Sequence, residues 1–393
     1  MISGVRVFWF GMAQLVGWGI TYYLIGVFGE AMSAEPGSSM AIVHGGFSVA
    51  LLVMGLASGP VGRLIDRAGG RPVLVAGAVL TALGCAGLAL AREVVGQYAA
   101  WACLGLAMRL SLYDAAFAAL ARLAGPAARR PMAQITLLGG LASTVFWPIG
   151  HLLVETLGWR GAAWAYAAFA LATIPMHLAL PAGHWRPPRA TPASPGDAAP
   201  ARRDDPLAAF LFAAIATLAS FLNSGMSAHM ITVMTGLGMA VSAAIWVSSL
   251  RGIGQSLARL GEVISGGRFD PFDLNLAATA MLPLCFLAGL FSGQMLAAAI
   301  LFNFLYGAGN GILTITRGTL PLVLFDPRHY GAIAGRLLAP SFFFAAVAPL
   351  AYALVIERFG AGMAMYLSLA LGFAILAASL VLRLRFGQNR RER

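Results

Sequence analysis

Twelve apolar stretches of roughly bilayer-spanning length, joined by mostly short polar connections, leave this chain few ways to fold. They run 7–29, 40–61, 72–91, 95–120, 133–155, 162–181, 207–229, 239–258, 274–292, 295–316, 335–356 and 363–383. A helix needs about 20 apolar residues to cross the hydrocarbon core. In lipid, only helices and closed barrels satisfy every backbone polar group internally. The runs are continuous and lack the two-residue alternation of a barrel strand. Only 10% of the 393 residues are charged, against about 25% in an average soluble domain, and the mean hydropathy is +0.80. A soluble enzyme, a disulfide scaffold, a disordered chain and a nucleic-acid binder are thereby excluded. The reading is an all-α multispanning membrane protein whose first apolar run is a spanning helix rather than a cleaved signal peptide.

The net charge of +11 comes from Arg alone: all 26 basic residues are Arg. If both termini and every even-numbered exit share one side, that side holds 21 of them and the other holds Arg92, Arg160 and Arg358, while Arg109 and Arg251 fall inside apolar runs. That asymmetry is the positive-inside pattern and predicts cytoplasmic termini. The Lys-free, Ala-rich composition points to a bacterial cytoplasmic (inner) membrane. Cys85, Cys103 and Cys285 lie in apolar runs at unrelated spacings and read as core residues, with no disulfide and no metal site.

The connection 182–206 is rich in Pro, Ala and charge without helical periodicity, and reads as a cytoplasmic linker. It divides the chain into a six-helix bundle over 1–181 and a second over 207–393 that ends in a short cytoplasmic tail. The halves echo each other. GRLIDRAGGR at 62–71 aligns with ARLGEVISGGR at 258–268, and PIGHLLVETLG at 148–158 with PLAYALVIERFG at 349–360. The copies follow one another in the same orientation, the arrangement of a parallel repeat.

Charges inside spanning segments are costly and usually functional. Arg109, Arg251 and Asp114 are the ones well inside, two permanent cations against one carboxylate. A surplus cation facing a cavity attracts an anion. The competing reading pairs Asp114 with Arg109 or Arg71 and lets Arg251 snorkel to the cytoplasmic face. Gln14 and Tyr22 lie on a polar-aromatic stripe of the first run, Trp147 and His151 on one face of the fifth, Asn223 in the seventh, Gln255 one turn after Arg251, and Asn303 and Asn310 in a Gly-rich tenth. These are the candidate substrate-binding residues. Asp114 is the candidate for proton coupling.

The segment from Gly62 to Arg71 resembles the signature of the major facilitator superfamily: a Gly, three residues, Asp-Arg, then Gly and a basic residue. The second copy is degenerate, with Ala258 and Glu262 in place of the Gly and the Asp. The resemblance covers the whole chain. It implies twelve helices in two pseudo-symmetric bundles and alternating access to a central site. It makes Gly62, Arg63, Asp66, Arg67, Gly70 and Arg71, with Arg259, Glu262 and Arg268, a gating motif that closes the cytoplasmic side. Tyr-rich first-helix chemistry, GLAMRLSLYDAAF, GWR at 158–160 and an eighth-helix Arg look most similar to bacterial carriers related to the oxalate/formate and monocarboxylate group, where that Arg, here Arg251, binds a carboxylate. The expectation is a secondary transporter of a small organic anion, coupled to protons or a counter-anion, needing no cofactor and able to work as a monomer in the bilayer. The alternatives are a drug or metabolite exporter of the same fold and, from a different class, a membrane sensor or membrane enzyme. Against the last stands the lack of any nucleotide-binding loop, metal cluster or nucleophile elbow.

Overall fold

A computed structural model describes residues 3–185, 205–266 and 268–387, and among them the regular structure is helical, without strands. The order is α1 Gly4–Ile20, α2 Leu24–Ser33, α3 Met40–Ala68, α4 Gly70–Leu90, α5 Val94–Ser111, α6 Tyr113–Ala124, α7 Arg129–Gly139, α8 Ala142–Ala172, α9 Ile174–Leu178, α10 Pro206–Gly236, α11 Val241–Ser265, α12 Pro271–Gly289, α13 Leu296–Leu324, α14 Tyr330–Phe359 and α15 Ala361–Phe386. Most of the linker (186–204) and the end of the Arg-rich tail lie outside the described residues, as does Gly267 of the second motif copy.

Among the described residues, nine helical stretches are long and apolar enough to cross a membrane. One of them, Val94–Leu178, folds back twice and supplies three crossings: α5 with α6, α7 with the first part of α8, and the rest of α8 with α9. The break inside α8 is at Gly158, whose φ of 68° ends one helix and starts the next. The eighth crossing in chain order, α11, is not among those nine; it carries Arg251, Gln255, Arg259 and Glu262 along its length. Large apolar side chains such as Leu56, Val95, Phe210 and Leu350 stand outward and exposed. An apolar belt of that kind suits lipid and not water.

Within 3–185, α4 packs on α5 and α8, α3 on α5, and α1 on α7 and α8. Within 205–387, α12 packs on α13 and α15, α11 on α13, and α10 on α14 and α15. Two seams join the groups: α3 lies along α14, and α7 meets α11. The first seam runs antiparallel, with Gly62 opposite Gly331 and Ser58 opposite Gly335. A Cβ at Gly62 would collide with the carbonyl of Gly331, so the closeness of this crossing depends on the missing side chain.

Three expectations are corrected. The stretch 62–71 is not a loop: α3 continues through Arg67 to Ala68, Gly69 turns the chain with φ 91°, and α4 starts at Gly70. Three crossings are broken in their middles, the fifth at Gly140–Leu141 between α7 and α8. The first bends between α1 and α2 at Thr21–Tyr23, and the fourth between α5 and α6 at Leu112, whose backbone is extended. The tenth run does not stop at 316. Its helix continues to Leu324, so Arg317 belongs inside a spanning helix and not among the loop cations.

Candidate functional site

The helix breaks build the site. Because α5 stops at Leu112, Tyr113 and Asp114 open a new helix, and Asp114 sits in its first turn, where the dipole favours an anion. The α1–α2 break likewise turns Tyr22 and Tyr23 toward the same space. They wall, with Trp18, Leu51, Met54, Tyr113, Phe117, Gly139 and Gly140, one side of a cavity of about 200 Å³. The opposite wall is Ser220, Asn223 and Ser224 of α10, Gln255 and Arg259 of α11, Thr314 and Arg317 of α13, and Ser341 and Phe342 of α14. The cavity therefore lies between the two groups of helices.

Its charged pair joins them. Arg317 donates from Nη2 to Asp114 Oδ2 at 3.2 Å, with looser contacts to Ser220 Oγ at 3.4 Å and Ser341 Oγ at 3.5 Å. Its guanidinium lies over the Phe342 ring at 5.4 Å, and its Nε–H has no partner. Arg259, 4% exposed, donates to the Thr136 carbonyl and to Thr314 Oγ1, both at 3.2 Å. Its Nε–H is also unpartnered. Two cations and one carboxylate thus face the cavity. A smaller cavity of about 110 Å³ adjoins it, shares Ser220, Asn223, Thr314 and Arg317, and is lined further by Asn275, Asn310 and Thr316.

The candidate residues fall into three groups. Tyr22, Asn223, Gln255 and Asp114 line the central cavity, and Asn310 lines the side cavity. Arg251 stands just behind the wall: it donates to Asn223 Oδ1 at 2.6 Å and lies over the Tyr306 ring at 5.0 Å. The rest lie elsewhere. Arg109 is buried on α5 and donates twice to Ser58, to Oγ and to the carbonyl, both at 3.1 Å, beside Gly335 of α14. It braces the α3–α14 seam rather than facing the cavity. Gln14 ties α1 to the Ser111 carbonyl at 2.8 Å. Asn303 bonds its own helix at Ala299 and the Met234 sulfur. Trp147 is 52% exposed with its ring edge-on to Tyr23. His151 is exposed and paired with Glu155 at 3.1 Å. Hydrophobic periodicity could not separate these positions, because in a membrane bundle a polar side chain facing a neighbouring helix has the same pattern as one facing a cavity.

The motif copies meet the opposite group at the Arg-rich end. Asp66 accepts from the backbone N–H of Gly331 at 3.0 Å and of Ala332 at 2.6 Å. Those are orphan donors of the first turn of α14. Glu262, 4% exposed, accepts from Arg129 at the start of α7 at 3.1 Å and from Ser265. Each half's carboxylate reaches the start of the fifth crossing of the other. Arg63, Arg67, Arg71 and Arg268 are exposed there, and the Arg67 carbonyl accepts from Arg122 at 3.4 Å. Gly70 packs against Ala119, where a Cβ has no room.

A family model described as Major Facilitator Superfamily matches residues 10–337. The chain belongs to the major facilitator superfamily. Superfamily members are membrane transporters rather than enzymes, and this is a multi-pass membrane protein. The multidrug resistance protein MdtL of Escherichia fergusonii, and that of Escherichia coli O9:H4, are 30% identical over 172 residues. The match spans 43% of this chain and 43% of theirs, less than half the length of those curated relatives. Two solved structures share the fold. The human organic anion transporter MFSD10 (TETRAN) has a TM-score of 0.70 at 17% identity, covering 95% of this chain and 98% of its own. The proton:xylose symporter XylE has a TM-score of 0.73 at 12% identity, covering 97% and 96%. These likenesses do not single out the oxalate/formate and monocarboxylate carriers.

Arg317 and Arg259 are the cations that the sequence alone misplaced, the first as a loop residue and the second as a gate residue only. The signal for Arg317 was present: TITRGTLPLVL continues the apolar run for two turns past 316.

Proposed function

We propose that this chain is a secondary active transporter that moves a small organic anion across the bacterial cytoplasmic membrane by alternating access between bundles 1–181 and 207–393. The observation that carries the reading is the pair of guanidiniums, Arg259 and Arg317, in the wall of a cavity whose lining has one carboxylate, Asp114. Two permanent cations against one carboxylate favour an anion in that space. The positive charge comes from these two residues and not from Arg109.

Asp114 supports coupling to protons. Its partner is Arg317. A substrate anion that takes over Arg317 frees Asp114 to accept a proton, so anion and proton enter together. An Asp114→Asn carrier should bind substrate and exchange it, but lose uptake driven by a proton gradient in proteoliposomes. Equal gradient-driven uptake by both proteins would exclude this role.

Asp66 and Glu262 would act as latches on the cytoplasmic side, closed here, which corresponds to an outward-facing carrier with both termini cytoplasmic. A single chain carries both halves, so a monomer suffices.

The MdtL likeness and the aromatic wall support a second reading, export of lipophilic drugs. The cationic wall disfavours cationic ones. Thermal stabilisation of the purified protein separates the readings, since a ligand of the native state raises its midpoint by mass action. Mono-carboxylates should stabilise and lipophilic cations should not; the reverse would move the protein to the exporters.

A further inference from the structure

Resting on the organic-anion reading, we infer that the substrate is an aryl monocarboxylate, with an aromatic ring attached to the carboxylate directly or through one carbon. The two bundles divide the cavity between two chemistries. The cations and the Asn, Gln, Ser and Thr side chains come from the second half. The first half offers rings and aliphatic groups, with Asp114 its one charge. Before Asp114 takes up a proton, two cations less one carboxylate leave a single surplus positive charge, the complement of one carboxylate.

The rings form a row rather than a scatter. Trp18 lies 5.2 Å from Tyr22 and 4.8 Å from Tyr113, and Tyr113 stacks on Phe117 at 5.6 Å with 3° between the planes. The row meets the cations at its Tyr113–Phe117 end. Tyr113 and Arg259 donate to the same carbonyl, that of Thr136, each at 3.2 Å. Phe117 packs against the α13 backbone at Gly318, next to Arg317. Arg259 donates to Thr314, one turn before Arg317 on α13. A carboxylate held by Arg259 and Arg317 therefore lies beside Tyr113 and Phe117 of that row. Offset and edge-on ring pairs add to affinity beyond their buried area, so an aromatic ring should be preferred to a saturated ring of the same size.

The test is direct binding, by calorimetry, of benzoate, phenylacetate, cyclohexanecarboxylate, cyclohexylacetate and benzyl alcohol to the purified full chain in detergent. The expected result is that each aryl acid binds about 2- to 10-fold more tightly than its cyclohexyl counterpart, and benzyl alcohol more weakly than either. Tyr22→Leu and Trp18→Leu should remove the aryl preference while leaving the cyclohexyl acids bound. Tyr22→Phe should keep it, which separates ring contact from damage to the fold. Equal affinity for aryl and cyclohexyl acids in the unmodified protein would overturn the inference and leave the organic-anion reading intact. Binding of none of the four acids, or binding of benzyl alcohol as tight as benzoate, would overturn that reading as well.

Discussion

Arg109 and Arg317 are the same residue type at the same kind of depth, yet their surroundings give them different work. Arg109 spends two donors on Ser58 and one neighbouring helix. Arg317 spreads long contacts over three helices and lines the cavity, as Arg109 does not. Arg317→Gln should weaken carboxylate binding by tenfold or more, the order expected for loss of a charged hydrogen bond of about 1.5–3 kcal/mol. Arg109→Gln should lower the melting temperature while leaving affinity within about twofold. Titrating both variants with benzoate, alongside thermal melts, checks the contrast. A second residue-level outcome concerns Asp326, in the connection before α14. It caps the short 3-10 turn and receives three bonds from the Arg328 side chain, and this guanidinium, first among the causes, holds its carboxyl below the usual range. A depressed folded value means the stabilisation is in place above the unfolded carboxylate value of about 4 and disappears as pH falls through the lower folded one. The melting difference between Asp326→Asn and the unmodified protein should be constant from pH 5 to 8 and shrink below about pH 4. A difference that grows on acidification would contradict the assignment.

The helices position chemistry by where they stop. A straight fourth crossing would leave Asp114 a mid-helix residue with its backbone N–H already bonded. The extended Leu112 restarts the helix and presents Asp114 at a positive helix terminus. The α3–α14 crossing is governed by Gly62 and Gly331, whose backbones touch. In Gly62→Val the added side chain has only the Gly331 carbonyl to move against, so the crossing must open, at a cost of about 1–3 kcal/mol to the closed arrangement. Spin labels at exposed Arg67 and Arg328, measured by double electron–electron resonance, should report a longer mean distance in that variant. An unchanged distribution would show that the seam does not set the separation of the halves.

Across the whole molecule, two symmetric carboxylate contacts close the same face. They differ in chemistry: Asp66 bonds backbone donors, whereas Glu262 bonds the Arg129 side chain. They share no partner, and distant independent contacts add. Asp66→Ala and Glu262→Gln should each favour opening of that face by about 1–2 kcal/mol, and the double variant by the sum. The populations of open and closed states in the same resonance experiment measure this. A double variant no more open than either single one would mean that one latch alone holds the face.

Membrane insertion, the number of crossings, the internal repeat and the motif were legible because each depends on local pattern: runs of about 20 apolar residues, an Arg asymmetry, and a short spaced signature. Asp66 could be singled out because it sits in that short spaced signature, although the partners it holds, Gly331 and Ala332, lie 265 and 266 positions away. The cavity wall was legible only in part. Tyr22, Asn223, Gln255 and Asp114 were found, but Gln14, Asn303, Arg109 and His151 have the same sequence character and lie elsewhere. In a bilayer a polar side chain is satisfied equally well by an adjacent helix or by a cavity, and the choice depends on crossing angles and on breaks such as that at Leu112, which no periodicity records. The long-range pairing of Asp114 with Arg317, 203 positions apart, exists only once the two halves are docked, and on that contact the proposed chemistry of the site rests.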